Sequence, residues 1–540
     1  MPEHLRALVV ILVIATAVFA VAKAPFTAHI CTGQDFNRRR NLWFALTLAA
    51  FLAHNFWLFV LVASCALAYA LRTETNRYAL YLGLMLALPR LTASIPGFGV
   101  VNELFAIDQL RLLALVVLLP AYLTLRRRPD VEAFGKLLCD KLLLGIFVLE
   151  IVLTLPYRTF TSVIRDSVLY AFTDVFLTYY VASRSLRTIQ AFRDAMGAFV
   201  VGGMVFCSIV AFEFLKHWLL YRGVDDALGV NLGTGGHYLR RAGLLRAEGT
   251  AGQSIFAGYT CAVALGFYLY VSAFVRSVPW RIVGGLVILA GLIGALARAP
   301  WLGACMMILV FVMLGPSPLT TLLKLAGGLM ASIPILMLTG ADAKVIDFLP
   351  WVGSVDASTV EGRERLFAVS IQLISQYPWV GRYDFRLDPA LEVLRDGAGL
   401  IDMVNTYLII ALQGGLISLG LFVGLAAFAV LGVANGLFKI ADKRDERHVL
   451  GRSLLATLLC VLFVIATVSP ISFIYPIYWS VVGLAVGYGQ LAARGARQQG
   501  PTGTGASRQA GRSPRPRWTV ATHRRGDAAT AAAQDTVTRQ

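Results

Sequence analysis

Four segments of this sequence hold the polar residues whose types and spacing could do chemistry. The first, 240–254, carries Arg240, Arg241 and Arg246 against a single Glu248, with Gly249 and Gly252 between them and Gln253 at its end. Three guanidinium groups on a glycine-containing stretch suit an anion. The stretch leads into an apolar run, and a helix starting there would add free N–H groups and a favourable dipole. Arginines at this position also suit lipid headgroups at an interface. The second segment is Ala297-Arg298-Ala299-Pro300-Trp301. It reads as a tight turn, with Pro300 at the first position of a helix and Trp301 as either a ligand contact or an interfacial residue.

The third segment runs from Glu361 to Gly381. Arg363 and Arg365 are expected on the first turn of an amphipathic helix that continues through Ile374 and stops at Pro378. A second short helix is signalled by Asp388 as cap, Pro389 as first residue and Gly397 beyond its end. The fourth is Asp402-Met403-Val404-Asn405-Thr406-Tyr407. Asp402 and Asn405 lie one helical turn apart. A partly desolvated carboxylate there can take a proton from a hydroxyl, with Asn405 orienting it; Asp402 could equally be a helix cap. Glu150 and Asp174 sit inside apolar runs, where they line a polar path or make hydrogen bonds within a bundle.

The elements that must position these residues are membrane spans. Of 540 residues, 57% are hydrophobic and 15% charged, whereas a soluble chain carries roughly 25% charged residues. The apolar runs are long enough to cross roughly 30 Å of hydrocarbon, which excludes a soluble globular enzyme and a transmembrane barrel. Spans are expected near 6–22, 42–71, 77–96, 107–125, 138–156, 162–183, 195–215, 254–275, 282–297, 300–315, 318–339, 404–433, 453–468 and 473–491. The fold class is therefore an all-α polytopic membrane protein with about twelve to fourteen transmembrane helices. The organisation is a first bundle section at 1–339, a large loop with short helices at 340–403, the last spans at 404–492 and a tail at 493–540.

Net charge is +17, and nine Arg against Asp527 and Asp535 place +7 of it between Arg494 and Gln540. That tail is too poor in apolar residues to fold. The Lys/Arg clusters at 126–128, 184–193, 276–281 and 439–447 share the tail's side, which the positive-inside rule makes cytoplasmic. Loops 216–253 and 340–403 then face outward. The Arg38-Arg39-Arg40 cluster conflicts with this if 42–71 is one span, so that run is a candidate for a broken or re-entrant helix. The 340–403 loop holds six Lys/Arg and ten Asp/Glu, as a small folded layer would. Seven scattered Cys give neither a disulfide framework nor a zinc site, and no nucleic-acid motif accompanies the basicity.

In this order, the four segments resemble the O-antigen ligase and O-antigen/exopolysaccharide polymerase superfamily. The resembling pieces are Leu245-Arg246-Ala-Glu-Gly-Thr, Ala297-Arg298-Ala-Pro300-Trp301, Arg363 to Gly381 with its Pro-x-x-Gly, and Asn405-Thr-Tyr407-Leu408 followed by Gly415-Leu-Ile-Ser-Leu-Gly420. The chain has Val404 where ligases commonly have His, and the Ile-Asp-x-Val-Asn-x-Tyr-Leu form looks more like the polymerases. The resemblance implies a multi-pass protein of the bacterial inner membrane with a periplasmic loop and a cytoplasmic C-terminus. It implies an inverting, metal-independent glycosyltransferase without cofactors. The donor would be an undecaprenyl-diphosphate-linked glycan and the acceptor a glycan, with a chain-length regulator as a further partner. On that reading Arg246, Arg298, Arg363 and Arg365 bind the diphosphate, and Asp402 and Asn405 serve the attacking hydroxyl. Arg241, Glu248, Gln253, Trp301 and Tyr407 would be further substrate contacts. Ligation to a lipid or protein acceptor and transport of a polysaccharide or another solute are the alternatives.

Overall fold

The computed structural model describes residues 2–89, 91–99, 101, 103–230, 238–241, 243–338, 357–394, 403–469 and 473–498. The chain divides into two units, Met1–Ala493 and Arg494–Gln540, and the fold is that of the first. Its helices in the first half are α1 (Glu3–His29), α2 (Gly33–Leu52), α3 (Phe56–Leu71), α4 (Arg77–Leu84), α5 (Gln109–Arg126), α6 (Leu138–Thr154) and α7 (160–185). The second half contributes α8 (Ile189–Lys216), α9 (Ser254–Val271), α10 (Val278–Gly294), α11 (Arg298–Met313) and α12 (Pro318–Leu338). After them come α13 (Ala357–Gln376), α14 (Thr406–Phe438), α15 (Glu446–Ile465) and α16 (Ile474–Gln498).

Six of these, α1, α5, α8, α9, α14 and α15, are long and apolar enough to cross a membrane, and α3, α10 and α11 are shorter and apolar. The protein is an all-α, multi-pass membrane protein. Val13, Leu61 and Leu286 stand 60 to 64% exposed on the outside of the bundle, an apolar surface matched to lipid tails. Inside, helices approach through small residues, as they must where lipid competes for apolar contact. A Cβ on Gly202 of α8 would lie 2.8 Å from the Gly83 carbonyl of α4, and one on Gly291 of α10 would lie 2.6 Å from Cys207 of α8.

The 42–71 run is two helices rather than one span. α2 ends at Leu52, His54 takes φ +50°, and the Asn55 side chain accepts the N–H groups of Trp57 and Leu58 (2.9 and 3.1 Å), capping α3. The resulting hairpin settles the conflict over Arg38–Arg40. Arg39 Nη1 donates to Asp194 (2.5 Å) and Nη2 to Glu74 (2.6 Å), while Arg38 bridges Asp35 and Glu74. Asp194 lies in the second turn of α8, where Arg193 donates to Glu446 (2.8 Å), and Tyr488 donates to the Arg447 carbonyl (2.9 Å). The arginine cluster therefore lies at the same end of the bundle as the other basic clusters. Arg39→Lys keeps the charge but loses the planar fork that serves two carboxylates. It is expected to destabilise the protein by about 2 kcal/mol, one charge-assisted bond, measurable as a lower unfolding temperature in detergent.

The expected span 77–96 also differs. α4 stops after eight residues, and the chain turns into an antiparallel hairpin of β1 (Ala93–Pro96) and β2 (Glu103–Ile107). Pro89, Pro96, Gly97 and Gly99 explain this, since the prolines lack the amide hydrogen that a continuing helix needs. The π-helix Ile164–Phe176 occupies half of α7, and Ala114–Leu118 in α5 is π-helical as well. Such segments are frequent at functional sites.

Candidate functional site

The 238–254 segment is fixed by a residue that the four polar segments do not contain. Glu213, near the end of α8, is 1% exposed, and its carboxylate accepts the backbone N–H groups of Leu220 (3.0 Å), Glu248 (3.1 Å) and Gly249 (2.8 Å). Gly249 has φ +54°, and a Cβ there would lie 2.8 Å from the Phe206 ring, so only glycine lets the segment come this close to α8. Thr250 Oγ1 donates to the Leu86 carbonyl (3.1 Å), tying the same stretch to the residues after α4. Two short strands, β3 (Arg240–Arg241) and β4 (Leu244–Leu245), pair just before it.

This segment meets the turn between α10 and α11. Ala247 N–H donates to the Gly294 carbonyl (3.2 Å), and Arg241 Nη1 donates to the Leu296 carbonyl (3.1 Å). Leu296 takes φ +46°, a strained value for a branched side chain, and Arg298 opens α11 two residues later. A Cβ on Gly258 of α9 would touch Pro300 at 3.0 Å and Ala297 at 3.2 Å, which levels the starts of α9 and α11. Pro300 is the third residue of α11, still in the turn where no intrahelical acceptor is needed. Trp301 spends its indole N–H on the Leu292 carbonyl (2.7 Å), so it braces the turn. Gln253 precedes α9 without a side-chain cap bond, and Gly252 before it has φ +75°. Arg241, Arg246, Glu248, Gln253, Arg298 and Trp301 are thus gathered at one end of three neighbouring helices.

Arg246 is the residue in this group whose surroundings ask for an anion. Its backbone N–H bonds the Leu239 carbonyl (2.9 Å), while its buried Nε has no hydrogen-bond partner among the described residues. Burial, and then the like charge of Arg241, pull its guanidinium below the usual arginine range, with Glu248 opposing. Arginine nevertheless keeps its proton near neutral pH. A desolvated cation pressed by a second cation is stabilised by any negative group that enters.

The third segment is a separate layer. Leu366 and Leu373 of α13, Phe385, Leu391, Met403, and Ile409 and Leu412 of α14 form their own buried cluster. α13 begins at Ala357, so Arg363 and Arg365 lie beyond its first turn, and both are exposed. Gly362 does not stop the helix, because one glycine costs only about 1 kcal/mol and the packing of Leu366 and Leu373 outweighs it. Arg246 and Arg298 lie in elements packed on α8, α10 and α15. Arg382 donates to Asp384 (2.8 Å) and Asp388 (3.1 Å), and those carboxylates hold its guanidinium above the usual range. Asp388 caps the short 3-10 helix Pro389–Leu394 through Ala390 N–H (3.0 Å); Gly397 lies outside the described residues.

The Pro378–Gly381 turn plugs a break in α14. At Gly415 (φ +68°, ψ −172°) the helix is non-helical. The turn supplies the lost partners: Leu416 N–H donates to the Pro378 carbonyl (2.8 Å), Ile417 N–H to Trp379 (3.3 Å), and Arg382 N–H to the Leu412 carbonyl (2.8 Å). An interrupted helix at membrane depth is tolerable only with such replacement. Ahead of the break, Asn405 caps α14 by accepting the N–H groups of Tyr407 (3.0 Å) and Leu408 (3.1 Å), and the Tyr407 hydroxyl donates to the Leu462 carbonyl (2.8 Å). The cap considered for Asp402 is thus filled by Asn405, which leaves the Asn405 amide hydrogens for other partners. Asp402 itself lies outside the described residues.

Among the described residues, no group of three or more His, Cys, Asp or Glu is placed to hold a metal ion. Glu213 and the plugged break were missed by sequence reasoning. A lone acid within an apolar run was the available signal for Glu213, and the Gly414-Gly415 pair was the signal for the break. No family model matches the chain, and no curated protein matches it, so what the site can do is read from its own residues.

Proposed function

We propose that the protein is a membrane glycosyltransferase that polymerises undecaprenyl-diphosphate-linked oligosaccharide repeats at the periplasmic face of a bacterial inner membrane. The observation that carries this reading is Arg246, a desolvated guanidinium held beside Arg241 at the start of α9 and next to the Arg298 turn. A diphosphate leaving group develops charge as the glycosidic C–O bond breaks, and preorganised cations stabilise that charge most effectively where water is excluded. In the proposed step the acceptor hydroxyl attacks the anomeric carbon and its proton passes to Asp402. The undecaprenyl diphosphate departs toward Arg246 and Arg298, and single displacement inverts the anomeric centre. The Asn405 amide hydrogens face the acceptor, while Arg363 and Arg365 meet the donor from the outer layer.

On this reading the 340–403 segment is the periplasmic loop, the helices make twelve to fourteen crossings, and the C-terminal tail is cytoplasmic. Glycan analysis of a strain lacking the protein tests the reading. The expected result is lipid-linked single repeats with no long chains. Long chains left unattached would favour ligation, and unchanged polymer would overturn both.

A further inference from the structure

A cavity of about 370 Å³ is lined by α6, α7, α14 and α16 together with Tyr383. Its volume is that of a small-molecule pocket. Two departures from regular helix border it, the π-helical part of α7 and the break at Gly414-Gly415. Tyr383 is fixed by a stacked contact with Tyr157, whose ring centroid is 5.9 Å away.

Three carboxylates line the cavity, and two of them are neutralised. Asp174 is gripped by Arg111 through Nε and Nη2 (3.0 to 3.2 Å), and Asp166 is held by Arg165 Nε (2.8 Å). Glu150, half-buried, takes no hydrogen bond or ion pair on its carboxylate among the described residues. A half-buried carboxylate with no donor of its own leaves its acceptor capacity for a ligand's hydroxyls. The rest of the wall includes the aromatic residues Phe147, Phe422 and Trp479 beside Gln413 and Tyr475. Flat apolar faces beside a few directed acceptors and donors match a pyranose ring, which offers C–H faces and an equatorial belt of hydroxyls. A metal ion would want several free oxygens together, and here two of the three carboxylates are already spent on arginine.

We propose that this cavity is a sugar-binding site that seats the acceptor glycan, with Glu150 accepting hydrogen bonds from its hydroxyls. The inference rests on the glycosyltransferase reading. It goes beyond that reading by giving the acceptor a seat separate from the arginines.

The test uses the full chain in lipid nanodiscs and the repeat-unit oligosaccharide released by mild acid from the host's lipid-linked pool. Binding of this free sugar is measured by calorimetry, and elongation with lipid-linked donor is measured alongside. Glu150→Gln is expected to weaken sugar binding about ten-fold, the loss of one charge-assisted hydrogen bond. Ala171→Phe, which fills the cavity, is expected to abolish binding. Arg246→Ala should leave binding of the free sugar within two-fold while stopping elongation. Wild-type binding in both cavity variants, with elongation intact, overturns the site and leaves the glycosyltransferase reading standing. A wild-type protein that neither binds the sugar nor elongates overturns both.

Discussion

Replacing Glu213 with Ala is expected to release the Arg246 segment from the bundle. Three backbone N–H groups, those of Leu220, Glu248 and Gly249, would lose their shared acceptor in a site where Glu213 is 1% exposed. Leaving a buried donor unsatisfied costs about 1–3 kcal/mol, so the three together approach 5 kcal/mol. That is a large part of the total stability of many domains, and it falls on one short segment. Hydrogen exchange should show fast exchange at residues 246–250 and little change in α15, whose packing does not depend on Glu213. Glu213→Gln should lie between, because the amide oxygen still accepts while the NH2 group meets a donor. Wild-type protection at 248 and 249 in the Ala variant would contradict the assignment of Glu213 as the anchor.

Gly415→Val is the second large effect. At φ +68° and ψ −172° the backbone of Gly415 lies where essentially only glycine goes, and a Cβ would overlap the Trp379 carbonyl. Backbone strain of about 1–3 kcal/mol would add to the loss of hydrogen bonds that each contribute about 1 kcal/mol. The expected result is an undocked outer layer, with protease cleavage between Tyr377 and Arg382 at least ten times faster than in the wild type and glycan elongation lost. Gly420→Ala serves as the control. It lies on the same helix with nothing among the described residues within 4 Å of its added Cβ, and it should behave as the wild type. Equal cleavage rates in the two variants would show that the turn does not hold the layer in place.

Much of the helical layout was legible because long apolar runs leave few alternatives. The basic clusters could be grouped at one end before any contact was known, apart from Arg38–Arg40. That exception was a boundary error: Asn55 is an ordinary polar residue in sequence, and only its two accepted N–H groups identify it as the cap that divides 42–71. The span expected at 77–96 failed for a similar reason, since hydropathy outweighed Pro89 and Pro96. Arg246 and Arg298 were singled out from type and spacing, and their two segments meet through Arg241 and the Leu296 carbonyl. Arg363 and Arg365 were grouped with them by charge, and the helix that carries them packs through Leu366 and Leu373 into its own buried cluster. Glu213 stood out only as a lone acid in an apolar run, because its partners are backbone N–H groups from the Leu220 turn and from 248–249, which leave no trace in residue type. The plugged break was half legible, because Gly414-Gly415 and Pro378–Gly381 each carry a signal, but their pairing is tertiary.

The central claim is that Arg246 serves a diphosphate leaving group. The direct measurement is elongation of undecaprenyl-diphosphate-linked oligosaccharide by the purified protein in vesicles, comparing Arg246→Ala with Arg240→Ala, a change at an exposed neighbour. The account predicts elongation by the wild type, near-normal elongation by Arg240→Ala, and a rate roughly 10²–10³-fold lower for Arg246→Ala with folding intact. Elongation by Arg246→Ala at the wild-type rate, or no transfer from this donor by the wild type, would contradict it.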